Sequence, residues 1–389
     1  MQAKREREFF VKFDKRFTAT NHLEKHKVLN RVVIISFDVI CKIFRVIFAS
    51  KKNQNNTVGI LSFHQLGDTV FTIPAVREIF NYYKESKVLI FTYPETKTIY
   101  EMEFPADRVI AIDKNGFRFG RRIASKQIKN VIKHHSPGRI FDITGTPASA
   151  SVVYNSRAQH TIGMNIRYFK NLYTKFTPNR TKPHCMDKYM DVALLITNID
   201  NVHEKFEYPT EITQTGTIMI HPFGIRKAKE WNLNKFIKLA LELKKDYDVE
   251  MISPPGFLSE DTIIELKELD IPLTITSDIK CLIEKIKESK FFISNDSGPT
   301  YIANFLHKPT FTIYGPTNPA YSVPFGKNHR FIQYRLPCST VDEQYCFTIA
   351  GINCPSYECM NLLGVEVVLQ NIRDFLNEIG IKKHAQMVS

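Results

Sequence analysis

The sequence has no run of about 20 predominantly apolar residues, the length that a bilayer-spanning helix needs. Its longest apolar stretch, Val32–Phe48, holds 17 residues and carries Asp38, Lys42 and Arg45 inside it. The N-terminus lacks a secretory signal: the first 27 residues are charged and aromatic with no small-residue cleavage site, which predicts a cytoplasmic chain with reduced thiols. A G-x-G-x-x-G fingerprint is missing, which disfavours a nicotinamide or flavin site, and no Walker lysine accompanies any glycine turn. No helix-turn-helix, RNA-recognition or zinc-finger pattern occurs, nor any solenoid repeat or low-complexity tract. Acidic residues are in deficit, 40 Asp+Glu against 53 Lys+Arg, for a net charge of +13. Such an excess favours an anionic partner, but without a recognition motif it is a poor case for nucleic acid.

The charge is unevenly placed. Residues 1–57 hold 13 Lys/Arg and 5 Asp/Glu, residues 58–209 hold 21 and 14, and residues 210–389 hold 19 and 21. The anionic partner is therefore expected on the N-terminal half. Arg31, Asp38, Lys42 and Arg45 recur at helical spacings and form a narrow polar stripe on an otherwise apolar cylinder. Residues 1–56 thus read as a basic amphipathic arm, either lying in a membrane interface with Lys51 and Lys52 beside it or packed on protein.

With 389 residues the chain has length for two domains. From Thr57 onward, short β-rich runs alternate with helical periods, the pattern of parallel α/β units. The pattern predicts one Rossmann-like domain over 57–200, a linker over 201–215 and a second Rossmann-like domain over 216–389. Within the first, residues 116–135 read as one helix; Gly364–Ile379 closes the second. Two such units place a site in the cleft between them, outside the carboxyl ends of the strands.

Four segments stand at such strand ends. In the first, His64, Gln65, Leu66, Gly67 and Asp68 join a strand to a helix; Asp68 either caps the helix or takes a proton from an acceptor hydroxyl. The second is His221-Pro222-Phe223-Gly224 with Arg226, Lys227, Lys229 and Trp231, a cationic loop suited to a diphosphate leaving group or simply a solvated basic loop. In the third, Asn295-Asp296-Ser297-Gly298-Pro299-Thr300, Pro299 suits a first helical turn and the neighbouring amides suit an anion. Gly315, Pro316 and Thr317 form the fourth, a Gly/Pro turn that either lines the same pocket or only reverses the chain.

In order and spacing these segments resemble glycosyltransferase family 9, the lipopolysaccharide core heptosyltransferase family, over about residues 57–379. The resemblance rests on LGD at 66–68, HPFG with K-x-W at 229–231, NDSGPTYIANFL at 295–306 and YGPTNP at 314–319. It implies an α/β GT-B fold, two Rossmann-like domains facing across a cleft, with the N-terminal helical arm outside it and a final helix that packs back on the first domain. It also implies inverting, metal-independent transfer of heptose or a related sugar. The donor would be a nucleotide sugar of the ADP-heptose kind, the acceptor a phosphorylated lipid A-core glycolipid, and the location the cytoplasmic face of the anionic inner membrane. By that resemblance Asp68 is the general base and Lys229 meets the donor diphosphate. Asp296 holds sugar hydroxyls, Ser297, Gly298 and Thr300 hold phosphate, and His221, Pro222, Gly224, Gly315, Pro316 and Thr317 line the donor pocket. The loop after His221 is one residue longer than is usual, so Arg226 and Lys227 compete with Lys229. A transferase using a UDP- or GDP-sugar and a noncatalytic membrane scaffold are the rival readings.

His64, Gln65 and Gly67 are expected on the acceptor side, together with a stripe of Arg118, Arg122, Lys126, Lys129 and Lys133 that either meets acidic sugars or is an exposed helix face. Asp246-Tyr247-Asp248 falls in a turn away from the strand ends and reads as solvated. Cys338, Cys346, Cys354 and Cys359 lack the short spacings of a zinc knuckle; free thiols, structural zinc and disulfides are the options.

Overall fold

Strand residues 58–62 are all buried, as expected of a parallel strand covered on both faces rather than on one. The computed structural model describes residues 55–118, 123–166, 170–180, 184–197, 212–224, 226–346, 354 and 356–384. The helical arm, Arg122 and most of the expected linker lie outside the described residues. Among the described residues no helix is long and apolar enough to cross a membrane.

The N-terminal half runs β1 (Thr57–Ser62), α1 (Leu66–Tyr82), β2 (Lys87–Thr92), α2 (Pro94–Glu101), β3 (Val109–Ala111), β4 (Phe117–Arg118), β5 (Ile123–Ala124), α3 (Lys126–His135), β6 (Arg139–Asp142), α4 (Pro147–Ser156), β7 (His160–Gly163), β8 (Lys175–Phe176) and α5 (Cys185–Leu194). Its parallel sheet has the order β3-β2-β1-β6-β7-β8, while β4 and β5 form a separate antiparallel hairpin. The C-terminal half runs β9 (Thr217–His221), α6 (Leu233–Lys244), β10 (Val249–Ser253), α7 (Glu260–Glu268), β11 (Leu273–Ile275), α8 (Ile279–Glu288), β12 (Ser289–Asn295), α9 (Gly298–Phe305), β13 (Thr310–Tyr314), β14 (His329–Gln333), α10 (Glu358–Asn361) and α11 (Val365–Glu378). Its sheet, β11-β10-β9-β12-β13-β14, repeats the first order, so each sheet reverses direction beside its own first strand.

Three expectations are corrected. The single helix over 116–135 is a hairpin followed by a helix: Gly116 and Phe117 turn out of a short 3-10 segment, and Ser125 accepts the Ile128 amide as the N-cap of α3. Arg118 therefore stands on β4, apart from the helical row of Lys126, Lys129 and Lys133, all three of which are exposed. The last helix does not cross to the first domain: Val368, Ile372 and Phe375 of α11 share one core with Phe236 and Ile237 of α6.

The two halves meet through α1 and α9. Phe71 and Tyr301 pack with tilted rings, centroids 4.5 Å apart, His184 packs on Phe71 and Phe325, and its Nε2 bonds the Val323 carbonyl at 3.1 Å. Residues of both halves belong to one continuous buried cluster. This contact brings the β1–α1 turn against the β12–α9 turn.

Candidate active site

Asp68 does not cap its helix. The helix begins at Leu66 with Gln65 as N-cap, which makes no side-chain capping bond, so the half-buried Asp68 carboxylate is free for another purpose. Tyr189 of α5 donates its hydroxyl to Asp68 Oδ1 at 3.1 Å. Burial, followed by the neighbouring Asp68 charge, holds the Tyr189 phenol well above its usual range, so it stays a donor. His64 packs its ring edge on Tyr189 at 4.8 Å and bonds the Ile143 carbonyl through Nε2 at 3.0 Å. A carbonyl only accepts, so Nε2 carries the proton. Burial keeps His64 below its usual value despite Asp68, which leaves a neutral ring behind the carboxylate.

Across the cleft Asp296 is held from two sides. Lys229 Nζ donates to Oδ2 at 2.6 Å and Tyr301 to Oδ1 at 2.5 Å. Burial opposes both charges of the pair, yet each carries the other: Asp296 lies below and Lys229 above its ordinary value. Asn295 ties the two C-terminal motifs together. Its Nδ2 donates to the Pro222 carbonyl at 2.7 Å and its Oδ1 accepts the Trp231 amide at 3.0 Å, while Trp231 Nε1 anchors to the Leu363 carbonyl at 2.9 Å. The longer loop thus still delivers Lys229. Lys227 turns to Glu230 and is exposed, whereas Arg226 joins Lys229 at the cavity.

Two cavities share this cleft. One, of 320 Å³, is walled by Asp68, Asp296, Lys229, Arg226 and Thr317; the other, of 750 Å³, is lined by the apolar Phe223, Pro254 and Phe257 together with the polar His221 and Thr276. Gln65, Gly67, Ser297 and Gly298 border both, so the cavities are consecutive. Where they join, the buried Ser297 hydroxyl has no partner among the described residues, and buried His221 Nδ1 likewise has none among them. Burial pushes the His221 pKa down to about 4, so the ring is neutral at pH 7. Orphaned buried polar atoms beside an open volume point to a ligand that completes them.

Some expected residues lie behind the cavities. The Thr300 hydroxyl is tied to the Asn295 carbonyl and to Ser294, and its amide bonds the Ser297 carbonyl, so it is not available to phosphate. The Pro222 carbonyl serves Asn295, the Pro316 carbonyl takes the Cys346 amide, and Gly315 packs against Met360. Gly224 borders the larger cavity. His64 stands behind Asp68, and Arg118 and Lys126 border neither cavity. Tyr189, Cys185, Gln344 and Tyr345 were not legible as site residues; no local motif marks them, and only the packing of α5 and of the segment after β14 brings them in.

The glycines of the two turns have a steric role. A Cβ on Gly298 would lie 2.9 Å from Leu66 Cβ, and one on Gly67 would lie 2.8 Å from Tyr301 Cδ2. The turns therefore approach across the cleft more closely than side chains allow. Gly298→Ala is expected to leave each sheet folded but to lower kcat/KM about 10–100-fold by displacing α9 from α1, given the cost of roughly 1 Å misplacements; an unchanged kcat/KM would show that the approach is not needed for turnover.

Among the described residues no three His, Cys, Asp or Glu side chains are placed to hold a metal ion. Cys338, Cys346, Cys354 and Cys359 are free thiols rather than disulfides, and burial and then the other three sulfurs push Cys359 up to about 12. Asp246 is paired with Arg373 and Lys383, which gives the Asp-x-Asp turn a structural role in holding the C-terminus.

Known proteins resemble this chain in sequence and fold. The sequence profile of glycosyltransferase family 9 (heptosyltransferase) matches residues 131–348. Lipooligosaccharide heptosyltransferase 2 of Campylobacter jejuni serotype O:2 is 24% identical over 336 residues, covering 80% of this chain and 95% of the relative. Among solved structures, a family 9 glycosyltransferase of Veillonella parvula superposes with a TM-score of 0.65 at 18% identity, covering 83% of this chain and 97% of that one. Escherichia coli heptosyltransferase WaaC with ADP-2-deoxy-2-fluoro heptose gives 0.60 at 17%, covering 82% and 99%. The profile spans more than half of the chain, and the paired parallel sheets are those of the GT-B fold: the protein belongs to glycosyltransferase family 9 and is a glycosyltransferase.

Proposed function

We propose that the chain is an inverting, metal-independent heptosyltransferase that moves heptose from an ADP-heptose-like donor to a lipooligosaccharide or lipopolysaccharide core. One observation carries this reading: Asp68 and the Lys229–Asp296 pair face the same 320 Å³ cavity, and a second, nucleoside-sized cavity continues from it past Ser297 and Gly298. The nucleoside occupies the larger cavity, the diphosphate the Ser297–Gly298 junction at the start of α9, and the sugar the smaller cavity. The names of the Campylobacter relative and of the Escherichia coli complex support the donor and the acceptor.

In the reaction Asp68 takes the proton of an acceptor hydroxyl. That oxygen attacks the anomeric carbon as the bond from carbon to the diphosphate oxygen breaks, with departure on the opposite face. The Lys229 ammonium, with Arg226 near it, meets the charge that grows on the diphosphate, the part a divalent cation plays in other transferases. Asp296 orients Lys229 and accepts from sugar hydroxyls. The acceptor enters from the N-terminal half, whose charge of +7 over residues 58–209 suits a phosphorylated glycolipid, and the +8 over residues 1–57 supports peripheral attachment to an anionic membrane.

The test pairs thermal stabilisation with transfer. ADP-heptose at about 100 times its Kd is expected to add about 2.7 kcal/mol of stability, whereas UDP- and GDP-sugars add little, and heptose is expected to appear on a core acceptor lacking it. Stabilisation by a UDP- or GDP-sugar alone would replace the donor, and tight donor binding with no transfer would favour the scaffold.

A further inference from the structure

The segment after β14 enters the site from outside both sheets. Gln344 and Tyr345 border the smaller cavity, as the α1 turn does. The backbone there is pinned to the loop after β13: the Asn318 amide donates to the Gln344 carbonyl at 3.0 Å, the Cys346 amide to the Pro316 carbonyl at 3.0 Å, and Tyr345 bridges Thr317. Tyr321 adds a bond from its hydroxyl to the Asp342 carbonyl at 2.6 Å. From this anchored strap Gln344 reaches the other half of the molecule, with Nε2 3.6 Å from Cys185 Sγ of α5. Tyr345 sets its ring 5.4 Å from Lys229 Nζ and 5.7 Å from the Arg226 guanidinium. The strap thus adds a wall to the cavity beyond those of the Asp68 turn and the Asp296 turn.

We propose that Gln344 and Tyr345 form the wall of the sugar subsite that discriminates the transferred sugar and keeps water from the anomeric carbon. This rests on the transferase reading above. The chemistry suits a polyol: Gln344, whose Nε2 also donates to the Tyr345 hydroxyl at 3.4 Å, keeps an Oε1 acceptor, and Tyr345 presents an apolar ring body to C–H groups with a hydroxyl at its tip. Both cations that serve the diphosphate also lean on this ring, an attraction that holds them in place without adding a competing anion. A sugar carrying an extra exocyclic carbon and hydroxyl fills the space against the strap and gives Gln344 Oε1 a donor; a hexose lacks that donor, while Gln344 Nε2 stays with Cys185 Sγ and the Tyr345 hydroxyl. Loss of one such contact is worth about 10–200-fold in discrimination.

The experiment uses the full-length chain and three variants, Gln344→Ala, Tyr345→Ala and Tyr345→Phe, with ADP-heptose and an ADP-hexose as donors. Tyr345→Ala and Gln344→Ala are expected to narrow the ratio of kcat/KM between the two donors about tenfold and to raise donor hydrolysis in the absence of acceptor. Binding of ADP alone, which lacks the sugar, is expected to change less than about twofold in Gln344→Ala, whose side chain touches neither cation, and Tyr345→Phe to keep most of the discrimination because the ring remains. Unchanged discrimination and hydrolysis in both alanine variants would overturn the proposal, as would a loss of ADP affinity in Gln344→Ala equal to its loss of transfer, since that is the mark of a disturbed donor domain. A wild-type chain that transfers from no ADP-sugar would instead overturn the reading beneath it.

Discussion

Asp68→Asn folds with nearly wild-type stability and transfers sugar about 10²–10⁴-fold more slowly, the range for loss of a general base. The stability half of this expectation follows from what Asp68 does not do: it caps no helix, and its one described bond, from the Tyr189 hydroxyl, can be given to an amide oxygen equally well. The rate half follows from what asparagine cannot do, which is accept a proton. Tyr189→Phe separates base from support. It removes the bond that fixes one carboxylate oxygen, leaves the base, and is expected to lower kcat by about tenfold, within the cost of misorientation. Both are read by single-turnover transfer beside a melting curve. If Asp68→Asn kept more than a tenth of the wild-type rate, the neutral His64 ring behind it would become the better candidate for proton acceptor.

Lys229→Ala affects both folding and chemistry. It leaves Asp296, whose side chain is 3% exposed, without its cation, and an abandoned buried charge costs about 3–5 kcal/mol. The Tyr301 bond remains but brings no positive charge. The double variant Lys229→Met with Asp296→Asn removes both charges and is expected to recover most of the stability, because a buried ion pair is worth little more than a neutral pair of similar volume. It is not expected to recover transfer, since nothing then meets the departing diphosphate except Arg226. Chemical denaturation and steady-state kinetics on the two variants decide the matter. Equal stability of Lys229→Ala and wild type would show the pair to be solvated, and transfer by the double variant would remove the cation from the mechanism.

Much of the fold was legible because it is periodic. Residues 58–62 and 289–295 are unbroken buried runs, and Asp278 announces its helix by capping the Cys281 amide. The strands that the periodicity does not announce are short or edge-placed. β8 has two residues, and β14, at the edge of its sheet, has no fully buried position, so neither carries a signal. Residues 116–135 misled because Lys126, Lys129 and Lys133 form a true helical row that Arg118 happens to continue in spacing across a hairpin.

The sequence by itself determined the two α/β halves, the strand-end turns and the residue types with chemistry in them: Asp68, Lys229, Asp296 and the Ser297–Gly298 pair. These are local facts, set by neighbours a few positions away, and a linear pattern can hold them. The tertiary structure alone decided that Asp68 is freed from capping and held by Tyr189, and that Thr300 is used up inside its own turn. It also decided that Lys229, rather than Lys227, meets Asp296. Each depends on contacts between segments remote in sequence; Tyr189 is 121 residues from Asp68. The closing of the site belongs to the same class: Gly67 and Gly298 are read locally as turn formers, but their missing side chains matter because two domains approach there through bare backbone.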